Sequence, residues 1–194
     1  MGETIPLSQR RFDWLIIAFF IINLGFITYI VDLEQLVIPD PNHFVYPFWP
    51  PAPLIDLVHA YARRFDPLVL ARPVWWKVTI WFDALGFGPF YAVGLYAYIR
   101  GKEWIRLPSI IYGTALFTIV TIILAEETFG PSQAPYLWVV YLDNAPWLLM
   151  PIAIIARMYL REHPFTRPEV ERSPSEPSAL PAAAVLHAIP ADDV

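Results

Sequence analysis

Two acidic residues lie inside stretches of this sequence that are otherwise apolar enough to cross a membrane. Asp83 lies within residues 78–99, and Asp143 lies within residues 136–156. A carboxylate at the middle of a membrane helix costs about 2.5–3.5 kcal/mol. Because the chain carries two such residues, we predict that they face a polar site that is lined by helices and closed to lipid.

The composition is that of a membrane protein. Of the 194 residues, 57% are hydrophobic and 16% are charged, against roughly 25% charged in an ordinary soluble domain. The chain has no cysteine, which excludes disulfides and thiolate metal sites. Its four histidines are not clustered, so neither a metal nor a cofactor is expected. A net charge of -5 without a basic cluster argues against nucleic-acid binding.

Four stretches are long and apolar enough to span a bilayer as helices, for which roughly 18–20 residues suffice. They are residues 14–31, 78–99, 108–125 and 136–160. None alternates in polarity, which argues against a β-barrel. The first also fits a cleaved signal peptide, but it ends without a small-residue cleavage site, which favours a retained helix. We therefore predict an all-α membrane protein built as a four-transmembrane-helix bundle.

The basic residues predict the orientation of this bundle. With four spans, both termini and the 100–107 loop share one side, which carries nine of the thirteen basic residues. The positive-inside rule places that side, and so both termini, in the cytosol. The predicted divisions are a cytosolic N-terminus at 1–11, a membrane domain at 12–162 and a disordered cytosolic tail at 163–194, which is rich in Pro, Ser and Ala.

Residues 33–77 form one long lumenal connection between the first two spans. A proline-rich run opens it, and residues 54–62 then have amphipathic helical spacing. This helix should end at Asp66-Pro67, because proline restricts the residue before it. A connection of this length within a compact domain is usually functional. We predict that it forms a lid over the lumenal ends of the helices.

The polar side chains of the four spans should meet in one layer near the lumenal boundary. Spacing places Asp83 and Asp143 one to two turns inside that boundary, and Asp32 and Glu126 beside it. In the fourth span, polar and aromatic residues share a face at helical intervals. The candidate catalytic acids are Asp32, Asp83, Glu126 and Asp143, and the candidate binding residues include Thr28, Tyr141, Asn144 and Trp147.

Such a layer is suited to proton transfer. Clustered carboxyls in a desolvated pocket cannot all stay ionised, so at least one remains protonated. A protonated acid can donate to an alkene or epoxide while a neighbouring carboxylate removes a proton elsewhere. Aromatic faces can stabilise the intermediate carbocation. The expected ligands are therefore a sterol, a terpenoid or a cationic amphiphile that mimics the cation, each reached from the membrane lipid.

A purely structural alternative accounts for the same residues. Asp83 would form an ion pair with Lys77 or Arg72. Asn144 would only satisfy interhelical hydrogen bonds, and the Glu126-Glu127 pair would mark a helix end at the headgroups. A small bundle whose acids only orient its helices then remains open beside the catalytic and binding alternatives.

Five motifs, in this order, resemble the EXPERA-domain family. They are Thr28-x-x-x-Asp32-Leu33, Phe65-Asp66-Pro67-Leu68, Asp83 followed by Pro89, Trp104-Ile105-Arg106-x-Pro108, and Ala145-Pro146-x-Leu148-Leu149-x-Pro151. The similarity covers about residues 10–160 and is greatest to the sigma-2 receptor branch. It implies a four-helix fold, residence in the endoplasmic reticulum membrane, and a pocket for sterols and cationic amphiphiles. A homodimer is one candidate oligomeric state.

The resemblance also implies roles for individual residues. Asp32 is similar to the branch's amine-binding carboxylate, Asp66 to the acid that hydrogen-bonds to it, and Asp83 replaces a glutamate. Residues 144–147 are similar instead to the sterol-isomerase branch, whose catalytic histidine corresponds to Thr28. This mixture implies a pocket for another isoprenoid-like substrate and an acid-initiated cyclisation or double-bond shift. The alternative is a non-catalytic protein that binds sterols or amines and acts in lipid traffic.

Overall fold

The computed structural model describes residues 3–167, and helices form its architecture. In chain order they are α1 (Arg11–Val37), α2 (Ala52–Arg64), α3 (Leu68–Ala71), α4 (Val74–Arg100), α5 (Arg106–Phe129) and α6 (Leu137–Tyr159). Four of them, α1, α4, α5 and α6, are long and apolar enough to span a membrane. The predicted four-helix membrane bundle is thereby confirmed.

An aromatic cluster packs α1 against α4 and α5. The Phe20 ring lies 5.5–5.8 Å from the rings of Tyr91, Tyr98 and Tyr112, and all four side chains are buried. A Cβ added at Gly94 would lie 2.8 Å from the Phe20 ring. The sequence therefore uses glycine on α4 to let this ring approach the helix backbone.

Two of the spanning helices contain π-helical segments. Residues Asn23–Asp32 of α1 and Asp83–Phe87 of α4 adopt the wider turn, and the two segments contact one another. A Cβ added at Gly88 would meet the Tyr29 hydroxyl at 2.8 Å and the Thr28 methyl at 3.0 Å. The π-helical turn is rare and occurs frequently at functional sites. Here two such turns face each other at the same level of the bundle.

The long connection between the first two spans folds over one end of the bundle. Its predicted amphipathic helix is present as α2, which ends just before Asp66-Pro67. The helix α2 contacts the π-helical segment of α1 and also α3. This connection is therefore packed structure, and it reaches the level of the intramembrane acids.

Residues 163–167, which the sequence assigned to a disordered tail, pack against the other end of the bundle. Phe165 is fully buried, and its backbone oxygen accepts a hydrogen bond from the Ile5 amide at 2.8 Å. The guanidinium groups of Arg10 and Arg157 lie over its ring, 5.2 and 5.5 Å from the centroid. The composition of this segment favours disorder, but the buried Phe165 ring and a short backbone pairing hold it in an ordered conformation. The rest of the predicted tail, residues 168–194, lies outside the described residues.

Candidate functional site

The predicted intramembrane acids line one cavity of about 410 Å³. Side chains from all six helices and from the segment between α2 and α3 form its wall. The acidic members are Asp32, Asp66, Asp83, Glu127 and Asp143. Most of the remaining wall is apolar or aromatic, and it includes Phe26, Trp76, Phe87, Leu116, Ile119 and Trp147. The structure thus brings acids from four spans and one loop to a single cavity, which we call the acidic chamber.

Asp32 and Asp83 form the first pair of neighbouring acids. Each lies in a π-helical segment, Asp32 at the end of the segment in α1 and Asp83 at the start of the segment in α4. Their carboxyl groups adjoin. Asp83 Oδ2 is buried and has no hydrogen-bond partner among residues 3–167. Two carboxyl groups in contact away from water are stable when they hold one proton between them.

Asp66 and Glu127 form a second pair of neighbouring acids. Asp66 follows α2, and its Oδ1 accepts a hydrogen bond from the Leu68 amide at 3.1 Å. Glu127, on α5, is fully buried, and neither of its carboxyl oxygens has a hydrogen-bond partner in the described part of the chain. Burial raises the pKa of Asp66 to about 6, although backbone hydrogen bonds from Leu68 and Val69 oppose this. The cavity thus contains two pairs of adjoining acids, Asp32 with Asp83 and Asp66 with Glu127.

Asp143 lies on the exposed side of the same cavity. The Tyr61 hydroxyl, on α2, donates a hydrogen bond to Asp143 Oδ2 at 3.3 Å. Burial, together with the charge of Asp143, raises the pKa of Tyr61 well above its ordinary range. Tyr61 therefore remains a hydrogen-bond donor at physiological pH and joins the connection to α6 at this point.

Three of the predicted site residues, Glu126, Tyr141 and Thr28, lie outside the cavity wall. Glu126 accepts a hydrogen bond from the Ser132 amide at 3.2 Å and helps to form the turn after α5. Its neighbour Glu127 faces the acids instead, because successive residues of a helix point about 100° apart. The Tyr141 side chain is exposed, and its hydroxyl lies 3.0 Å from that of Thr128.

Asn144 and Trp147 of α6 line the cavity, whereas Tyr141, which the spacing placed on the same helical face, does not. The Trp147 indole donates to Asn23 Oδ1 at 2.7 Å, which fixes the orientation of its ring. The Asn144 amide donates to the Val140 carbonyl at 3.0 Å within its own helix. Trp147 therefore presents an oriented aromatic surface, whereas the amide nitrogen of Asn144 is used locally.

Thr28 supports the acid pair from behind. It is fully buried and does not belong to the cavity wall. Its hydroxyl lies beside the Asp83 carboxyl but forms no hydrogen bond of good geometry with a described residue. Thr28 is thus placed to influence Asp83 without direct contact with a molecule in the cavity.

A buried polar network beside the cavity was missed in the sequence. Arg72 donates to the two Glu34 carboxyl oxygens at 2.7 and 3.0 Å, and His59 Nε2 lies 2.5 Å from one of them. The proposed ion pair between Asp83 and Arg72 is therefore wrong, since Arg72 is engaged with Glu34. The predicted span ended before Glu34, whereas α1 continues to Val37.

Within residues 3–167 no group of three or more His, Cys, Asp or Glu side chains has the arrangement that could hold a metal ion. The cavity acids instead adjoin in twos. Carboxyl pairs next to aromatic and aliphatic walls are suited to binding a cation or to moving a proton. Each pair can attract a positive charge and can act as an acid and a base.

The fold and the site together define a polytopic helical membrane protein with an internal acidic chamber. A family model described as EXPERA (EXPanded EBP superfamily) matches residues 53–158. The chain belongs to this family, which confirms the resemblance noted in its motifs.

Similar proteins cover most of the chain. Sigma intracellular receptor 2 of Xenopus tropicalis is 31% identical over 166 residues, which span 79% of this chain and 91% of that protein. Sigma intracellular receptor 2 of Homo sapiens is 29% identical over 184 residues, or 86% of this chain and 97% of that protein. These aligned lengths exceed the 53–158 range that the family model matches, so the similarity extends beyond that range.

Proposed function

We propose that the protein is a membrane isomerase or cyclase that rearranges a sterol or terpenoid by protonation and deprotonation. The observation that carries this proposal is the arrangement of acids in adjoining pairs, Asp32 with Asp83 and Asp66 with Glu127, around one apolar cavity. A pair that shares one proton contains both an acid and a base. A volume of about 410 Å³ also lies within the range of small-molecule sites, roughly 300–1,000 Å³.

In the proposed reaction, the protonated member of the Asp32–Asp83 pair gives its proton to one carbon of a substrate double bond. A carbocation forms at the adjacent carbon. In an isomerisation, a carboxylate then removes a proton from a carbon next to the cation, and the double bond moves. In a cyclisation, a second double bond attacks the cation before that proton is lost. One proton enters and one leaves, so neither reaction needs a cofactor.

The walls of the cavity support such an intermediate. Trp76, Phe87 and Trp147 line the cavity with the acids, and an aromatic face stabilises a cation by about 0.5–2 kcal/mol. Asn23 holds the Trp147 ring in place at 2.7 Å, so the ring does not have to reorient as charge develops. The same features attract an amphiphilic amine, which carries a stable positive charge.

The alternative is a non-catalytic protein that binds a sterol or amphiphilic amine and acts in lipid traffic. It is supported by the names of the similar proteins, which are called receptors. It is also supported by Thr28, which replaces the histidine that the resemblance assigns to sterol isomerases. Both alternatives place the protein in the endoplasmic reticulum membrane with its termini in the cytosol, and a homodimer fits either.

Deuterium incorporation separates the two alternatives. Microsomes that contain the full-length protein are incubated in deuterium oxide, and their extracted sterols and terpenoids are analysed by mass spectrometry. An enzyme that works by proton transfer adds one solvent deuterium to each product molecule. Asp83→Asn keeps the side-chain volume but cannot deliver a proton, so we expect a rate loss of about 10²–10⁴-fold.

Asp56→Asn provides the matched control, because Asp56 is exposed on α2 and contacts Tyr46 rather than the cavity. It should leave deuterium incorporation unchanged. Microsomes that bind a tritiated amphiphilic amine but show no labelled product would refute the catalytic proposal and support the binding alternative. Equal losses in Asp83→Asn and Asp56→Asn would refute the assignment of Asp83.

A further inference from the structure

A second cavity, of about 530 Å³, lies at the opposite end of the bundle. It is bounded by the start of α1 and the end of α6, far along both helices from the acidic chamber. Its wall contains the four arginines Arg10, Arg11, Arg157 and Arg161 and one acid, Asp13. Such a concentration of guanidinium groups at the end of membrane-spanning helices is characteristic of a surface that meets lipid headgroups.

The charges in this cavity do not cancel. Asp13 is fully buried and is bonded by Arg10 and by Arg157, the latter at 2.9 and 3.2 Å. These three residues together carry one net positive charge. Arg11 and Arg161 are exposed and add two more. The cavity therefore presents an excess of positive charge to anything that enters it.

One of these arginines has hydrogen-bonding capacity left over. Arg157 uses Nε and Nη2 on Asp13 and donates from Nη2 to the Pro164 carbonyl at 2.9 Å. Its Nη1 is buried without a hydrogen-bond partner among the described residues. Only 12% of the Arg157 side chain is exposed, so the missing partner is costly unless an acceptor supplies it.

Apart from Gln9, the rest of the cavity wall is apolar. Ala153 and Ala156 open a crevice along α6, and the exposed side chains of Phe12 and Leu160 flank it. Small residues on a membrane helix allow close approach of another chain. The arginines and this crevice together match a molecule with an anionic group at one end and a hydrocarbon chain at the other.

We propose that this cavity binds the phosphate of an anionic phospholipid, with an acyl chain in the crevice between α1 and α6. Arg11 and Arg161 approach the phosphate from the exposed side, and the net positive charge of the Arg10–Asp13–Arg157 cluster attracts it from the buried side. Guanidinium groups suit this role because their planar donors match phosphate oxygens. The lipid would also join the first and last helices of the chain.

Native mass spectrometry of the full-length protein in detergent tests this proposal. The protein is titrated with dioleoylphosphatidylserine and, separately, with dioleoylphosphatidylcholine. We expect the anionic lipid to bind on the order of tenfold more tightly. The double variant Arg11→Gln/Arg161→Gln, which spares the buried contacts of Asp13, should lose this preference.

Arg100→Gln/Lys102→Gln is the matched control. It removes the same charge from exposed positions at the same end of the bundle, but outside the cavity wall, and should keep the preference. Equal binding of the two lipids to the unaltered protein, or equal losses in the two double variants, would overturn the proposal.

Inorganic phosphate distinguishes a lipid from a free anion as the ligand. Phosphate alone should displace phosphatidylserine only at far higher concentration, since it lacks the acyl chains that fill the crevice. Displacement at a comparable concentration would overturn the lipid assignment. None of these variants alters the acidic chamber, so failure here would leave the proton-transfer proposal standing.

Discussion

Replacing Glu34 with glutamine should destabilise the protein more than an ordinary polar substitution. Glu34 is fully buried near the end of α1 and accepts two hydrogen bonds from Arg72 and a third contact from His59. The amide of Glu34→Gln retains much of the shape but not the negative charge. It therefore leaves the Arg72 guanidinium, which is 2% exposed, without a counter-charge.

The size of this effect follows from the remaining contacts of Arg72. Removal of one partner from a buried ion pair typically costs about 3–5 kcal/mol. Arg72 would keep its bonds to the Ile38 and Val69 carbonyls at 2.6 and 2.9 Å, so we expect the lower limit, about 3 kcal/mol. For a chain of this length that corresponds to a fall in Tm of roughly 6–12 °C.

Thermal unfolding of the purified protein in detergent, followed by tryptophan fluorescence, measures this change. Asp40→Asn is the control, because Asp40 pairs with His43 where both side chains are largely exposed. Such a surface pair contributes about 0–1 kcal/mol. The double variant Glu34→Leu/Arg72→Met removes both charges and should recover much of the loss. A Tm change below about 2 °C for Glu34→Gln, or a double variant less stable than the single one, would refute the reasoning.

Two further predictions concern the acidic chamber. Asp66 has a pKa of about 6 in the folded protein, against an ordinary value of 3.8. Its protonation therefore stabilises the folded state fully below about pH 4, and this contribution is lost as the pH rises through 6. Asp66→Asn should therefore be about 1–3 kcal/mol more stable than the unaltered protein at pH 7. In thermal unfolding, the Tm of this variant should change less between pH 4 and 6 than the Tm of the unaltered protein. Equal dependence of the two Tm values on pH would contradict this. Gly88→Ala should destabilise the protein by about 1–3 kcal/mol, because the added methyl group meets Thr28 and Tyr29 at 3.0 and 2.8 Å. In the control Gly86→Ala, the added methyl group has no neighbour closer than 3.8 Å, so this variant should be neutral. Equal Tm changes in the two variants would contradict the prediction.

The sequence was sufficient to predict the spans and the layer in which their acids meet. Hydrophobic length identifies a membrane helix, and an ionisable group inside it has few stable orientations other than inward. For that reason Asp32, Asp83 and Asp143 could be placed at one level from spacing alone. The helix within the long connection was also predictable, since amphipathic spacing and a following proline define it.

Other features depend on contacts that spacing does not encode. The π-helical turns at Asn23–Asp32 and Asp83–Phe87 have no distinct composition, and they rotate the residues that follow. Consecutive glutamates at 126 and 127 face different directions, and hydropathy cannot decide which one faces inward. Glu34 and Arg72 are 38 positions apart, so their pairing appears only when the connection is folded.

The burial of Phe165 has a consequence for biogenesis. This ring and its backbone pairing fasten the last described residues to the first, so α1 and α6 are held together at one end. The acidic chamber also takes side chains from both helices, with Asp32 on the first and Trp147 on the last. During translation, the acids of the earlier helices therefore lie in the membrane or at its surface without a complete chamber until the final span is inserted. Truncation before Phe165 would remove the contact that joins α1 to α6 at this end, and the truncated product would be a substrate for membrane quality control.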